Sequence, residues 1–256
     1  MHILKRLYRK DYTGEEVNTV GLYHEQEWHY QKEFVANPFT DLPFSNRAVV
    51  IGNGISRTEF DLTHFLPSRE TTAWGEFAPW VQAKHKKRFN TYGCNALYRG
   101  FQPDFIIATG DEIVKEIADS DYTDNNVVYT NAYTVTEYPD KFHYIPQDPN
   151  YNSGAMAAYL AAFDGHKRVF MLGFDGIDSL TDSYNAYAGT NGYASKDVPT
   201  NEGYWVNSLY KIMKLYEDVE FIRVAPTNTF RSPESWKYLL NYRTINFRQF
   251  VIEADL

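Results

Sequence analysis

Four short stretches combine small residues with side chains able to hydrogen-bond a phosphate or a sugar, each beside an apolar run: Gly52-Asn53-Gly54-Ile55-Ser56, Tyr92-Gly93-Cys94-Asn95-Ala96, Thr109-Gly110-Asp111 and Asn152-Ser153-Gly154. In the first, Gly52 and Gly54 permit left-handed turns and close backbone approach, while Asn53 and Ser56 offer an amide and a hydroxyl. A tight strand-to-helix turn with a serine cap accounts for the same residues. Asn95 can present its amide to a ligand or cap a helix. Asp111, after Thr109, can hold a metal or a ribose, or cap the helix that follows. Asn152, Ser153 and Gly154 open an alanine-rich helix, where amides and a hydroxyl suit an anion and Ser153 serves equally as N-cap. None of the four is diagnostic alone. Their succession is the signal.

Such loops act together only if strands carry them to one edge. Short apolar runs bounded by turn residues read as buried strands of a parallel sheet. They fall at residues 47–51, 88–92, 104–108, 126–130, 142–146, 167–172 and 219–224. Helical patterns lie between them at 153–163, with Gly165 as its C′ residue, and at 204–216, where Val206, Leu209, Tyr210, Ile212, Met213 and Leu215 share a surface. Alternation of this kind predicts an α/β, doubly wound, mostly parallel Rossmann-like sheet, with ligands bound beyond the carboxyl ends of its strands. Residues 1–45 form an N-terminal extension without clear periodicity, 46–225 the nucleotide-binding domain with a lid at about 176–203, and 226–256 a C-terminal packing segment. The Gly-, Ser-, Asn- and Tyr-rich stretch 184–198 reads as a functional loop.

Composition narrows the setting. The 256 residues include one cysteine, Cys94, which excludes an internal disulfide and a cysteine zinc cluster. No apolar run reaches the roughly 20 residues of a membrane span, and no apolar core follows the charged N-terminus, so a cytoplasmic protein is expected. A net charge of −8 argues against nonspecific nucleic-acid binding. The basic run 84–88 is the local exception, and with Trp74 and Trp80 it marks an expected acceptor side.

The pattern resembles the bacterial sialyltransferases that take sugar from CMP-sialic acid, and the related domains grouped with archaeal 6-hydroxymethylpterin pyrophosphokinase. Both families open with a strand and an Asn-Gly-Pro-Ser type loop, here Gly52-Asn53-Gly54-Ile55-Ser56, and follow with an asparagine, here Asn95. The sialyltransferase Thr-Ser-Gly loop and Ser-Gly-Ile-Asp strand end have counterparts in Asn152-Ser153-Gly154 and Gly173-Phe174-Asp175. The stretch from Pro103-Asp104 to Asp111 is similar to the pyrophosphokinase group. The resemblance covers about residues 47–225 and implies a nucleotide-sugar site. Asn53, Asn95, Ser153 and Gly154 would contact the nucleotide, and Tyr184 with Tyr187 would steady the leaving phosphate. The family's histidine base has no counterpart, because no histidine follows His166. Asp178, Asp182 and Glu202 are the candidates for taking the acceptor proton.

The expected activity is glycosyl transfer from a nucleotide-activated donor, CMP- or UDP-linked, to a glycan, a small molecule or modified DNA. No cofactor is expected. The alternatives are a pyrophosphokinase-like transferase, with Mg2+ at Asp111, and a noncatalytic nucleotide-binding module.

Overall fold

The computed structural model describes residues 2–10, 16–24, 27–30, 46–65, 89–138, 141–145, 149–175, 185–195, 202–227 and 232–256, with only the backbone described for 2–30, 132, 136 and 202–204. Strands β1 (His2–Lys10), β2 (Glu16–His24) and β3 (Glu27–Tyr30) form an antiparallel three-stranded sheet within the N-terminal extension.

The body is one eight-stranded sheet, parallel throughout. Its strands are β4 (Arg47–Ile51), β5 (Asn90–Cys94), β6 (Phe105–Ile107), β7 (Val127–Thr130), β8 (His143–Tyr144), β9 (Arg168–Leu172), β10 (Glu220–Ala225) and β11 (Tyr242–Asn246). The spatial order is β11-β10-β9-β4-β5-β6-β7-β8. From β4 the chain steps outward to β8, returns through a helix to β9 on the other side of β4, and steps outward again to β11. Strand order therefore reverses between β4 and β9, the position beside which open α/β sheets bind ligands, beyond the carboxyl ends of their strands.

Side-chain alternation sorts the core into two layers. Ala48, Val50, Val169 and Met171 join a cluster under α4 (Ser153–Phe163) and α5 (Glu202–Leu215). Val49, Ile51, Phe170 and Leu172 point the other way, into a cluster with α1 (Asp111–Ala118) and α6 (Phe247–Ala254). Helix α4 is buried from Ala155 to Ala162, and its alanines let the helix axis lie close against the strands. On α5, Leu209, Ile212 and Met213 are buried, whereas Leu215 is exposed. The remaining helices are α2 (Tyr122–Asn125) and α3 (Ala132–Glu137).

Two differences from expectation concern the sheet. Strand β5 runs on through Gly93 and Cys94, because a glycine in a buried central strand gives up only its side chain: a Cβ there would lie 2.4 Å from Leu97. Residues 242–246, read as packing material, supply an eighth parallel strand, paired along its length with β10. Their alternation is muted because an edge strand is half-exposed. Asn246 then caps α6, accepting from the Gln249 N–H in a reciprocal capping box. Among the described residues, no helix is long and apolar enough to cross a membrane.

Candidate functional site

The first loop leaves β4 and presses on the loop leaving β9. Gly54 N–H donates to the Gly173 carbonyl at 2.9 Å. A Cβ on Gly54 would sit 2.6 Å from the Asp175 carboxylate and 2.6 Å from the Gly173 oxygen. Gly54 has φ −62° and ψ 145°, an ordinary extended conformation, so its glycine is required by contact rather than by handedness. The left-handed glycine is Gly173 on the facing loop, at φ +75°, and not Gly52 or Gly54 as expected from sequence.

Asp175 fastens these two loops. Ser56 N–H donates to its Oδ2 at 2.7 Å, and the Ser56 hydroxyl donates to Oδ1. Asp175 and Ser56 are buried. Both were expected at the ligand; the geometry gives them to each other, as a clamp that fixes the loop backbone. Ser56 is accordingly not a helix cap, since Gly54 precedes the 3-10 turn of Ile55–Glu59 without a side-chain cap bond.

Asn53 is buried, and its Nδ2 donates to the Cys94 carbonyl at 3.3 Å and to the Tyr193 hydroxyl at 2.9 Å. The Cys94 carbonyl can only accept, and this fixes which end of the amide is nitrogen. Its Oδ1 is then sealed from solvent with no partner among the described residues. A buried carbonyl without a donor costs about 1–3 kcal/mol.

The next residue after Cys94 is Asn95, held at φ 46° at the start of the 3-10 turn Asn95–Arg99. Cys94, not Asn95, occupies the N-cap position. The Asn95 Oδ1 accepts from the Ser153 hydroxyl at 2.8 Å and from the Thr109 N–H at 3.4 Å. With its proton committed to Asn95, the Ser153 oxygen accepts from the Thr109 hydroxyl, 2.6 Å away. Ser153 is free for this because it is not the N-cap it was expected to be. Asn152 caps α4, accepting from the Ala155 N–H at 2.9 Å. A Cβ on Gly154 would meet the Phe174 ring at an ordinary 3.5 Å.

Asn95, Thr109 and Ser153 thus form one polar chain across the ends of β5, β6 and α4, and beside it Asn53, at the end of β4, reaches the backbone on either side of Asn95, at Cys94 directly and at Ala96 through Tyr193. Asp111 does not join it. Gly110 occupies the N-cap of α1 without a side-chain cap bond, and Asp111 is exposed in the first helical turn, where its charge complements the helix dipole. Among the described residues no three His, Cys, Asp or Glu side chains form a metal-binding group.

Residues 185–195 cover the β4–β5 side. Gly54 and Asn185 form an isolated antiparallel bridge, and Ala186 N–H donates to the Asn53 carbonyl at 2.7 Å. The segment is pinned farther out by Arg99, which donates to the Thr190 hydroxyl at 2.8 Å and to the Asn191 carbonyl at 3.1 Å. Arg99 also grips Glu116 through Nε at 2.7 Å, holding that carboxyl down at about 2. Tyr187 packs beneath Arg57, whose guanidinium carbon is 5.1 Å from the ring centre. Asp178, Asp182 and Tyr184, together with Trp74, Trp80 and the basic run 84–88, lie outside the described residues. Glu202 is the first residue of α5, with its backbone alone described.

Tyr193 is a participant that the motifs did not single out. Its hydroxyl accepts from Asn53 Nδ2 and, at 3.4 Å, from the Ala96 N–H. Burial pushes the phenol well above its ordinary range, so it stays neutral and keeps a proton for a further acceptor. Only its place in the Tyr- and Gly-rich stretch 184–198 could have pointed to it. Arg57 was missed as well, hidden beside the more suggestive Ser56. Burial lifts the Cys94 thiol to about 12.

The arrangement defines a class: a Rossmann-like sheet with amide- and hydroxyl-bearing loops beyond the carboxyl ends of β4, β5 and β6, beside its switch point. Among solved structures, the chain aligns with the monofunctional alpha-2,3-sialyltransferase Cst-I of Campylobacter jejuni at 12% identity and a TM-score of 0.47, over 81% of this chain and 85% of that one. It also aligns with the sialyltransferase CstII of Campylobacter jejuni in complex with cytidine-5'-monophosphate, at 13% identity and a TM-score of 0.43, over 72% and 82% of the two chains. No protein-family model and no curated protein matches the chain.

Proposed function

We propose that the chain is a glycosyltransferase that binds a nucleotide-activated sugar over the carboxyl ends of β4, β5 and β6, beside the switch point. One observation carries this. The buried side-chain oxygen of Asn53 has no partner among the described residues, although its amide nitrogen is engaged twice, by the Cys94 carbonyl and the Tyr193 hydroxyl, beside the polar chain of Asn95, Thr109 and Ser153. A ligand N–H or O–H supplies the missing donor, and a nucleoside carries both on its base and ribose. The neutral Tyr193 hydroxyl faces the same residues and favours developing charge on a leaving oxygen.

Transfer is a direct displacement at the sugar, with the nucleotide leaving as its phosphate. The proton of the acceptor hydroxyl passes to Asp178, Asp182 or Glu202, and Tyr184 and Tyr187 attend the phosphate. Such a reaction needs no metal. The exposed position of Asp111, outside the polar chain, weighs against a Mg2+-dependent pyrophosphokinase built on that residue.

Calorimetry with CMP and with CMP-, UDP- and GDP-sugars in the presence of EDTA tests the proposal. Binding by one base class, weakened about tenfold or more by Asn53→Ala, is the expected result. Absence of binding by every nucleotide refutes it. Tight binding without transfer to glycan, small-molecule or DNA acceptors would assign the chain as a nucleotide-binding module instead.

A further inference from the structure

Arg57 is buried at 7% exposure, yet it pairs with no carboxylate among the described residues. Its Nε is sealed from solvent and has no hydrogen-bond partner. Four other described arginines behave differently. Arg99 is bound to Glu116, Arg168 to Glu220, and Arg243 to Glu220 and Glu253, while the buried Arg223 donates to the Phe174 carbonyl. Taking a guanidinium out of water without an anion is unfavourable by several kcal/mol. The π-face of Tyr187 returns about 0.5–2 kcal/mol of that. The remainder calls for a negative charge.

The position of Arg57 makes the missing anion a substrate group. It follows Ser56 directly, in the loop that Asp175 clamps to the end of β9. Its aliphatic stem lies against Gly173, where a Cβ would meet Arg57 Cβ at 3.0 Å and Cδ at 3.2 Å. The left-handed glycine thereby leaves room for the arginine at the point where strand order reverses. Asp175, the carboxylate that clamps that loop, accepts from Ser56 through both oxygens. The Arg57 charge also counteracts the rise that burial imposes on the Cys94 thiol and the Tyr187 phenol, so its field reaches the ends of both β5 and the 185–195 segment.

We infer that Arg57 is the cationic half of an anion subsite at the β4–β9 switch point, taking an anionic oxygen of the substrate, phosphate or carboxylate, with Tyr187 as the wall that holds the guanidinium plane. This deepens the nucleotide-sugar reading and rests on it for the identity of the substrate, but the subsite itself is testable with inorganic anions.

The test measures thermal stabilisation of the full chain by inorganic phosphate and by acetate at constant ionic strength, and the affinities of CMP and cytidine, for the parent, Arg57→Gln and Arg57→Lys. Phosphate should raise the melting temperature of the parent and leave Arg57→Gln unmoved. CMP should bind the parent about tenfold or more tightly than cytidine, a ratio that approaches one in Arg57→Gln while cytidine affinity holds. A response to acetate as strong as to phosphate would assign the subsite to a carboxylate. If neither CMP nor cytidine binds the parent but phosphate stabilises it through Arg57, the nucleotide reading falls and the subsite stands. If Arg57→Gln responds to phosphate and keeps the CMP-to-cytidine ratio like the parent, Arg57 only packs on Tyr187 and the inference is overturned. Should Arg57→Gln not fold, Arg57→Lys decides: its compact ammonium loses the fork and must lower the phosphate response, and an unchanged response overturns the inference.

Discussion

Replacing Gly54 with alanine isolates the contact between the β4 and β9 loops. The backbone at Gly54, φ −62° and ψ 145°, suits alanine, so no conformational penalty enters. The new methyl, however, would lie 2.6 Å from the Gly173 carbonyl oxygen, which is backbone, and 2.6 Å from the Asp175 carboxylate, whose two oxygens are held by Ser56. Neither can retreat without breaking the clamp or the 2.9 Å Gly54-to-Gly173 hydrogen bond. Overpacking of this kind costs about 1–3 kcal/mol. At this chain length each kcal/mol lowers the melting temperature by about 2–4 °C, so a fall of roughly 2–12 °C is expected. Gly100→Ala is the control, since a Cβ there meets nothing within 4 Å and should change stability by less than about 0.5 kcal/mol. Calorimetric melting of the three proteins gives the answer. Melting of Gly54→Ala within a degree of Gly100→Ala would refute the claim that the two loops are in unyielding contact.

Asn152→Ala should lose about 1 kcal/mol in a urea melt by uncapping α4, whereas Ser153→Ala, which caps nothing, should weaken nucleotide binding in calorimetry by releasing Asn95. Tyr193→Phe removes the acceptor shared by Asn53 Nδ2 and the Ala96 N–H, and a stability loss of about 1–3 kcal/mol is expected from the stranded donors. Glu116 carries a folded carboxyl pulled from 4.5 down to about 2, chiefly by its hydrogen bond to Arg99. Its stabilisation is therefore complete above pH about 4.5 and lost as pH falls toward about 2. Amide exchange at residues 185–195 should quicken across that window, and Glu116→Gln should abolish the pH dependence. Cys94, buried with its thiol raised to about 12, should resist an aromatic disulfide reagent at pH 8 until the chain is unfolded by denaturant.

The parallel sheet was legible from sequence because a strand buried on both faces must be apolar at every position. Ala48 to Ile51 and Val169 to Leu172 show this directly, and turn residues mark their ends. The loops that carry Asn53, Asn95 and Ser153 were legible for a related reason: polar and small residues after such runs have to lie at the sheet's edge. Strand β11 was hidden because an edge strand is half-wetted and its pattern is diluted. Its neighbour β10, buried from Phe221 to Ala225, was not.

Pairing and role were decided by the tertiary structure. Local sequence cannot distinguish a serine that caps a helix from one a position later that reaches another strand's asparagine. Asn152 and Ser153 are both competent caps, and only the approach of β5 assigns Ser153 to Asn95. Likewise Gly54 and Gly173 are both turn glycines by type, but one answers to a crowded neighbour and the other to a left-handed backbone. Apolar burial is a property each segment carries by itself. Which polar atoms find partners, and which, like Asn53 Oδ1 and Arg57 Nε, find none among the described residues, depends on distances between segments far apart in the chain.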